Sequence, residues 1–233
     1  MSLIISVYVP TGIILSGDSR TTLTIQQQST PATPQSPSPA IVQTNVTLSD
    51  ATNKVFLLFR RFGAGTFGEA IINNLPIAHY VEQFELQRSN AFPESTHQLA
   101  NDLLQFFRAL TPIPALGFVV AGYDGNDPWV ISVNVQGDTS QRVNLNQDGQ
   151  LQYGIIRGGD TAIVDRLLSQ PQFNPLFNVM NLQDAVDYSR HLIRSTIDQM
   201  RFEPRFPTVG GPIDTLVVTS AGASFLICKE IHG

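Results

Sequence analysis

Two apolar runs open the chain, "LIISVYV" (3–9) and "IILSG" (13–17), separated by Pro10-Thr11-Gly12. Short runs around a Pro/Gly break predict a β-hairpin. Polar residues then take over at "GDSRTT" (17–22), and "IQQQSTPATPQSPSPAIVQT" (25–44) is so rich in Pro, Ser, Thr and Gln that it predicts a flexible insertion rather than a domain boundary. "KVFLLFRRF" (54–62) reads as a buried strand or tight hairpin. "GAGTFGEA" reads as a turn into a helix over about 67–88, kinked near Pro76. Leu99, Leu103, Leu104, Phe106 and Phe107 recur at helical spacing within 94–110. Apolar runs at 116–124, 128–137 and 151–158 predict strands, and helices are expected at 160–169 and 182–201. Residues 212–230 predict a closing hairpin around Ser220-Ala221-Gly222.

Helices are segregated from strands in this order rather than alternating singly with them. That pattern predicts an α+β chain of antiparallel sheets and helical layers, in a single domain over 1–233. The helix at 94–110 carries a broad apolar set, Leu99, Ala100, Leu103, Leu104, Phe106, Phe107 and Leu110, wider than one buried stripe requires. Its width suggests a covering neighbour.

Composition narrows the function classes. Charged residues make up 14% of the chain, and a surface so poor in charge is expected to be partly covered by another subunit. The net charge of −5 argues against nucleic-acid binding. One cysteine, Cys228, excludes an internal disulfide framework and fits a reducing, cytoplasmic location. No basic residue precedes the opening apolar run, which Pro10 interrupts, so it is expected to be hairpin arms rather than a signal peptide. No run of about 18 apolar residues predicts a membrane span.

Few motifs carry chemistry on their own. "GAGTFG" (63–68) matches the glycine pattern of a dinucleotide-binding turn, but two helical segments follow before the next strand, where a second strand should come first. The four histidines, at 79, 97, 191 and 232, show no metal-ligand spacing. Lysine is rare: Lys54 and Lys229 stand against twelve arginines.

Taken together and in order, "GIILSGDSRTT", "NKVFLL" with "GAGTFGEA", "FVVAGYDGNDPWVISVNVQGD" and "GGPIDTLVV" resemble the proteasome β-type subunits of the N-terminal nucleophile hydrolases. The resemblance runs over nearly the whole chain. It implies a four-layer αββα sandwich and places Ser2 at the nucleophile position once Met1 is removed. A serine hydroxyl needs a base beside it, and a free α-amine, titrating near about pH 8, supplies one on the same residue. Lys54 matches the family's catalytic lysine, Asp18 the carboxylate that holds it, Arg20 a brace for the turn and Gly65 the oxyanion-hole glycine. Thr21, Thr52, Gly63 and Phe67 fall at the substrate-pocket positions. No cofactor is implied. The implied substrate is a peptide or unfolded protein, and the implied partners are further copies in a homo-oligomeric ring and an ATPase unfoldase.

The chain also departs from the family. Serine replaces threonine at the nucleophile position, and residues 25–44 are inserted beside the active-site hairpin. The family's accessory Ser and Asp align with Gly158 and with Phe206 or Val209, leaving Thr208 and Glu203 as candidate replacements. Two readings follow: a self-compartmentalised peptidase or amidase, and a non-catalytic subunit that keeps the ring-forming fold.

Overall fold

The computed structural model describes residues 2–28 and 41–229. In chain order the strands are β1 (Leu3–Val9), β2 (Gly12–Gly17), β3 (Thr21–Gln28), β4 (Ile41–Ser49), β5 (Val55–Leu58), β6 (Phe62–Gly68), β7 (Ile71–Ile72) and β8 (Leu75–Pro76). Helices α1 (Ile77–Gln87) and α2 (Thr96–Arg108) follow, then β9 (Leu116–Asp124), β10 (Asp127–Asn134), β11 (Thr139–Arg142) and β12 (Gly154–Gly159). Helices α3 (Ala162–Leu167) and α4 (Leu182–Met200) precede the closing hairpin of β13 (Asp214–Thr219) and β14 (Gly222–Ile227). The chain is mixed α+β. One five-stranded sheet has the order β12-β1-β2-β13-β14 and the other β11-β10-β9-β6-β5, while β3-β4 and β7-β8 are separate two-stranded ribbons. Every paired neighbour is antiparallel.

The continuous apolar run of β1 follows from where its two faces go. Leu3, Ile5, Val7 and Val9 pack against Ile163 and Val164 of α3 and Ala185, Val186, Leu192 and Ile193 of α4. Ile4 and Tyr8 turn the other way and meet Val55, Val119, Ala121 and Val130 of the second sheet. With both faces covered, all seven residues are buried and no polar alternation is needed. The outer face of the second sheet is closed by Ile77, Tyr80, Val81 and Phe84 of α1 and by Leu99, Leu103, Leu104 and Phe107 of α2. Ser95 caps α2 by accepting from the Gln98 N–H (3.1 Å), and Asn181 caps α4 by accepting from Asp184 (2.9 Å).

Two expectations need correction. Residues 62–68 form β6 rather than a turn into a helix, and α1 begins only at Ile77. Asn73 and Asn74, with φ of 47° and 65°, turn the chain first, so Pro76 stands at the helix entrance instead of kinking its middle. Strand β11 has the polar sequence Thr-Ser-Gln-Arg and no apolar run to mark it. Part of the broad apolar set of α2 is covered within the chain, because half-buried Phe106 and Leu110 also pack against this chain's own core. At the predicted insertion, residues 25–28 and 41–44 continue the β3-β4 ribbon, and 29–40 lie outside the described residues.

Side chains of the first sheet pack directly onto the glycines of β6. A Cβ placed on Gly63 would stand 2.5 Å from both Leu15 Cδ1 and Leu216 Cδ2. Gly63→Ala is therefore expected to overpack the interface and to cost about 1–3 kcal/mol, read as a lower midpoint in urea unfolding. An unchanged midpoint would mean that the sheets are not in close contact there.

Candidate active site

One end of the first sheet gathers the start of β1, the ends of β2 and β12 and the start of β13. Asp18 follows β2 directly and is 1% exposed. Its carboxylate is fully engaged. Oδ1 accepts from the Leu3 N–H (2.8 Å) and from Lys54 Nζ (2.9 Å), and Oδ2 accepts from the N–H groups of Arg20 (3.1 Å) and Gly210 (3.0 Å). The Asp18 N–H in turn donates to the Leu3 carbonyl (3.2 Å). Four chain segments thus converge on one side chain.

Lys54 stands just before β5 and is 1% exposed. Its ammonium donates to Asp18 and to the Arg20 carbonyl rather than to the Ser2 hydroxyl. Burial pushes the Lys54 pKa below the ordinary lysine value, against the opposing pull of Asp18. The guanidinium of Arg20 forms a two-pronged pair with Asp50 (2.6 and 2.8 Å) and holds the Asp50 carboxyl below its usual range. It lies over Gly210, where a Cβ would stand 2.6 Å from Nε.

Ser2 is buried at the entrance to β1. Its carbonyl accepts from the Asp160 N–H (2.7 Å). Gly159 makes that approach possible, because φ there is +97° and a Cβ would collide with the Ser2 oxygen. Asp160 is a site residue that sequence reasoning missed. Its Oδ2 accepts from the Thr208 hydroxyl (2.6 Å) and from Arg205 Nη1 (2.7 Å). In the sequence it reads as the start of a helix, and the only signal was a carboxylate directly after "IIRGG". Thr208 contacts Asp160 directly, whereas Glu203 reaches this cluster only through Arg205 and also pairs with Arg166.

Gly65 has a different setting from the one expected. N–H groups along a strand point alternately to its two neighbours. The Thr66 N–H donates to the Lys54 carbonyl (2.8 Å), toward β5, so the Gly65 N–H faces Val119 in the ladder with β9. A Cβ on Gly65 would stand 2.6 Å from Ile4 Cγ2, which makes the residue a point of close sheet contact. Among the other pocket candidates, Thr21 and Thr52 share a hydrogen bond (2.6 Å) and line a cleft of about 360 Å³ with Ala51, Ala70, Ile71 and Pro76. Gly63 faces the core between the sheets. Phe67 packs over Gly117 and Gly158 and borders a separate groove of about 280 Å³. The structure therefore brings Thr21 and Thr52 together but not these two.

Among the described residues, no cluster of three or more His, Cys, Asp or Glu side chains could hold a metal ion, and no helix is long and apolar enough to cross a membrane. No protein-family model matches the sequence, and no curated protein matches it.

A buried ion pair that loses one partner leaves the other charge stranded. Lys54→Met is expected to cost about 3–5 kcal/mol in chemical denaturation, and Lys54→Met combined with Asp18→Asn to recover part of that loss. Strictly additive losses would show that the two side chains do not depend on each other.

Proposed function

We propose that this chain is an N-terminal nucleophile hydrolase of the proteasome β type that cleaves peptide or other amide bonds with Ser2 after removal of Met1. The observation that carries the reading is the shared Asp18 oxygen. The Lys54 ammonium and the N–H of Leu3, the residue after Ser2, bind the same Oδ1, which holds the lysine charge beside the first residues of β1. The packing supports the same reading: helices α3 and α4, the first sheet, the second sheet, then α1 and α2 correspond to the layers of an αββα sandwich.

In this proposal the freed α-amine of Ser2 takes the proton of its own hydroxyl, directly or through a water, as the oxygen attacks the substrate carbonyl. The tetrahedral adduct collapses to an ester on Ser2, the amine of the cleaved bond leaves with a proton, and water hydrolyses the ester. Lys54, positively charged and held by Asp18 and Arg20, lowers the proton affinity of the nearby amine. Asp160 fixes the Ser2 carbonyl through its N–H. Thr21 and Thr52 border the cleft assigned to substrate. The substrate class is a peptide or unfolded protein, processed in the cytoplasm inside a closed ring of identical subunits that an ATPase unfoldase feeds. Exposed Phe173, Leu176 and Val179 before α4 and Phe202 after it are the apolar surface offered to neighbouring subunits.

One observation favours the second reading, a non-catalytic ring-forming subunit: the Gly65 N–H, turned into its ladder, is not directed at a developing oxyanion. A peptide epoxyketone separates the two readings. Its ketone takes the hydroxyl and its epoxide takes the amine, so a stable ring forms only where one residue offers both groups. Intact mass spectrometry is expected to show a chain lacking Met1 with one added inhibitor, and no adduct on Ser2→Ala. Absence of the adduct, with Met1 retained or removed, would overturn the catalytic reading.

A further inference from the structure

The chain's second lysine stands beside the same turn as the first. Lys229 follows β14, and its side chain is 9% exposed, paired with Asp214, whose side chain is 3% exposed. It closes around that carboxylate with both of its nitrogen groups: the backbone N–H donates to Oδ1 (2.8 Å) and the ammonium to Oδ2. The ammonium also donates to the Ser19 hydroxyl (3.1 Å). Ser19 is fully buried and saturated. Its hydroxyl donates to the Pro212 carbonyl (2.9 Å), its N–H donates to Gly210 (3.0 Å), and its carbonyl accepts from Thr52 (3.0 Å). Asp18 on one side of Ser19 and the Arg20 carbonyl on the other are the two acceptors of Lys54.

We infer that Lys229 is a positioning residue of this site, which braces the Asp18-Ser19-Arg20 turn through Ser19 and contributes to the electrostatic field at the Lys54 ammonium. Two of the chain's fourteen basic residues are lysines, and both grip this three-residue turn while each holds a buried carboxylate. Like charges at close range disfavour each other's protonated form. At Lys54 burial acts first and Lys229 adds to it, while Asp18 and Asp50 act in the opposite direction. The Arg20 guanidinium is committed to Asp50, and Asp214 offsets part of the Lys229 charge. Cys228, next to Lys229, has its thiol pushed up by burial and by Asp214 and drawn down by Lys229. The consequence for catalysis rests on the hydrolase reading above; the electrostatic coupling does not.

The test is a lysine titration. With carbon-13 at Cε, the full chain gives two lysine side-chain signals, each reporting its own protonation. In the wild type the Lys54 midpoint is expected below the ordinary lysine value. In Lys229→Gln, which removes the charge and keeps a hydrogen-bond donor, the Lys54 midpoint is expected to move up; in Lys229→Arg it is expected to stay where it was. An unmoved midpoint in a folded Lys229→Gln protein overturns the inference. If Lys229→Gln does not fold, Lys229→Arg decides: a folded protein with the wild-type Lys54 midpoint supports the inference, and a displaced midpoint or loss of folding overturns it. A chain that shows the coupling but forms no epoxyketone adduct would overturn the hydrolase reading and leave the electrostatic inference standing.

Discussion

The buried pair of Asp18 and Lys54 is the constraint on which the rest of the site depends. Taking both charges out of water is costly, and the cost is offset only if every remaining lone pair and proton finds a partner. Asp18 meets that condition with two acceptor bonds on each oxygen, drawn from β1, its own turn, the segment leading into β5 and the loop before β13. Three of these segments border strands of the first sheet, and the fourth leads into the second. The carboxylate ties the two sheets together at this end, and Ser2 lies one residue from its first donor.

This arrangement needs rigid surroundings, which the sheets provide. Every residue of β1 is buried on one face against helices or on the other against the second sheet. Glycines at 63 and 65 leave room for Leu15, Leu216 and Ile4 of the facing sheet, and Gly159 leaves room for the backbone of Ser2. The polar cluster of Asp160, Thr208 and Arg205 then secures the Ser2 carbonyl from the opposite edge of the sheet, because β12 runs antiparallel beside β1 and ends where β1 begins.

Much of this was legible in the sequence, for reasons that can be stated. The β1-β2 hairpin, β9, α2, α4 and the closing hairpin announce themselves through unbroken apolar runs or helical periodicity. Strand β6 did not, because its glycines, which serve sheet contact, look like turn residues when read along the chain. Asp18 and Lys54 were legible only through their resemblance to a family pattern, since 36 residues separate them and neither stands out alone. Asp160 carried only the weak signal of a carboxylate after a glycine pair, and Asp214 and Lys229 carried none: their roles come from the antiparallel register that brings strand ends together. The direction of the Gly65 N–H was likewise invisible, because it is set by the parity of pairing with two neighbours.

Turnover by Lys54→Arg tests the central claim most directly. Arginine preserves the charge opposite Asp18, but its larger planar fork does not reproduce the compact ammonium's contacts with Asp18 and the Arg20 carbonyl, so the charge is displaced from the amine. With a fluorogenic peptide as substrate, the wild type is expected to turn over and folded Lys54→Arg to lose most of kcat. Hydrolysis by Lys54→Arg at the wild-type rate would contradict a functional role for the buried lysine.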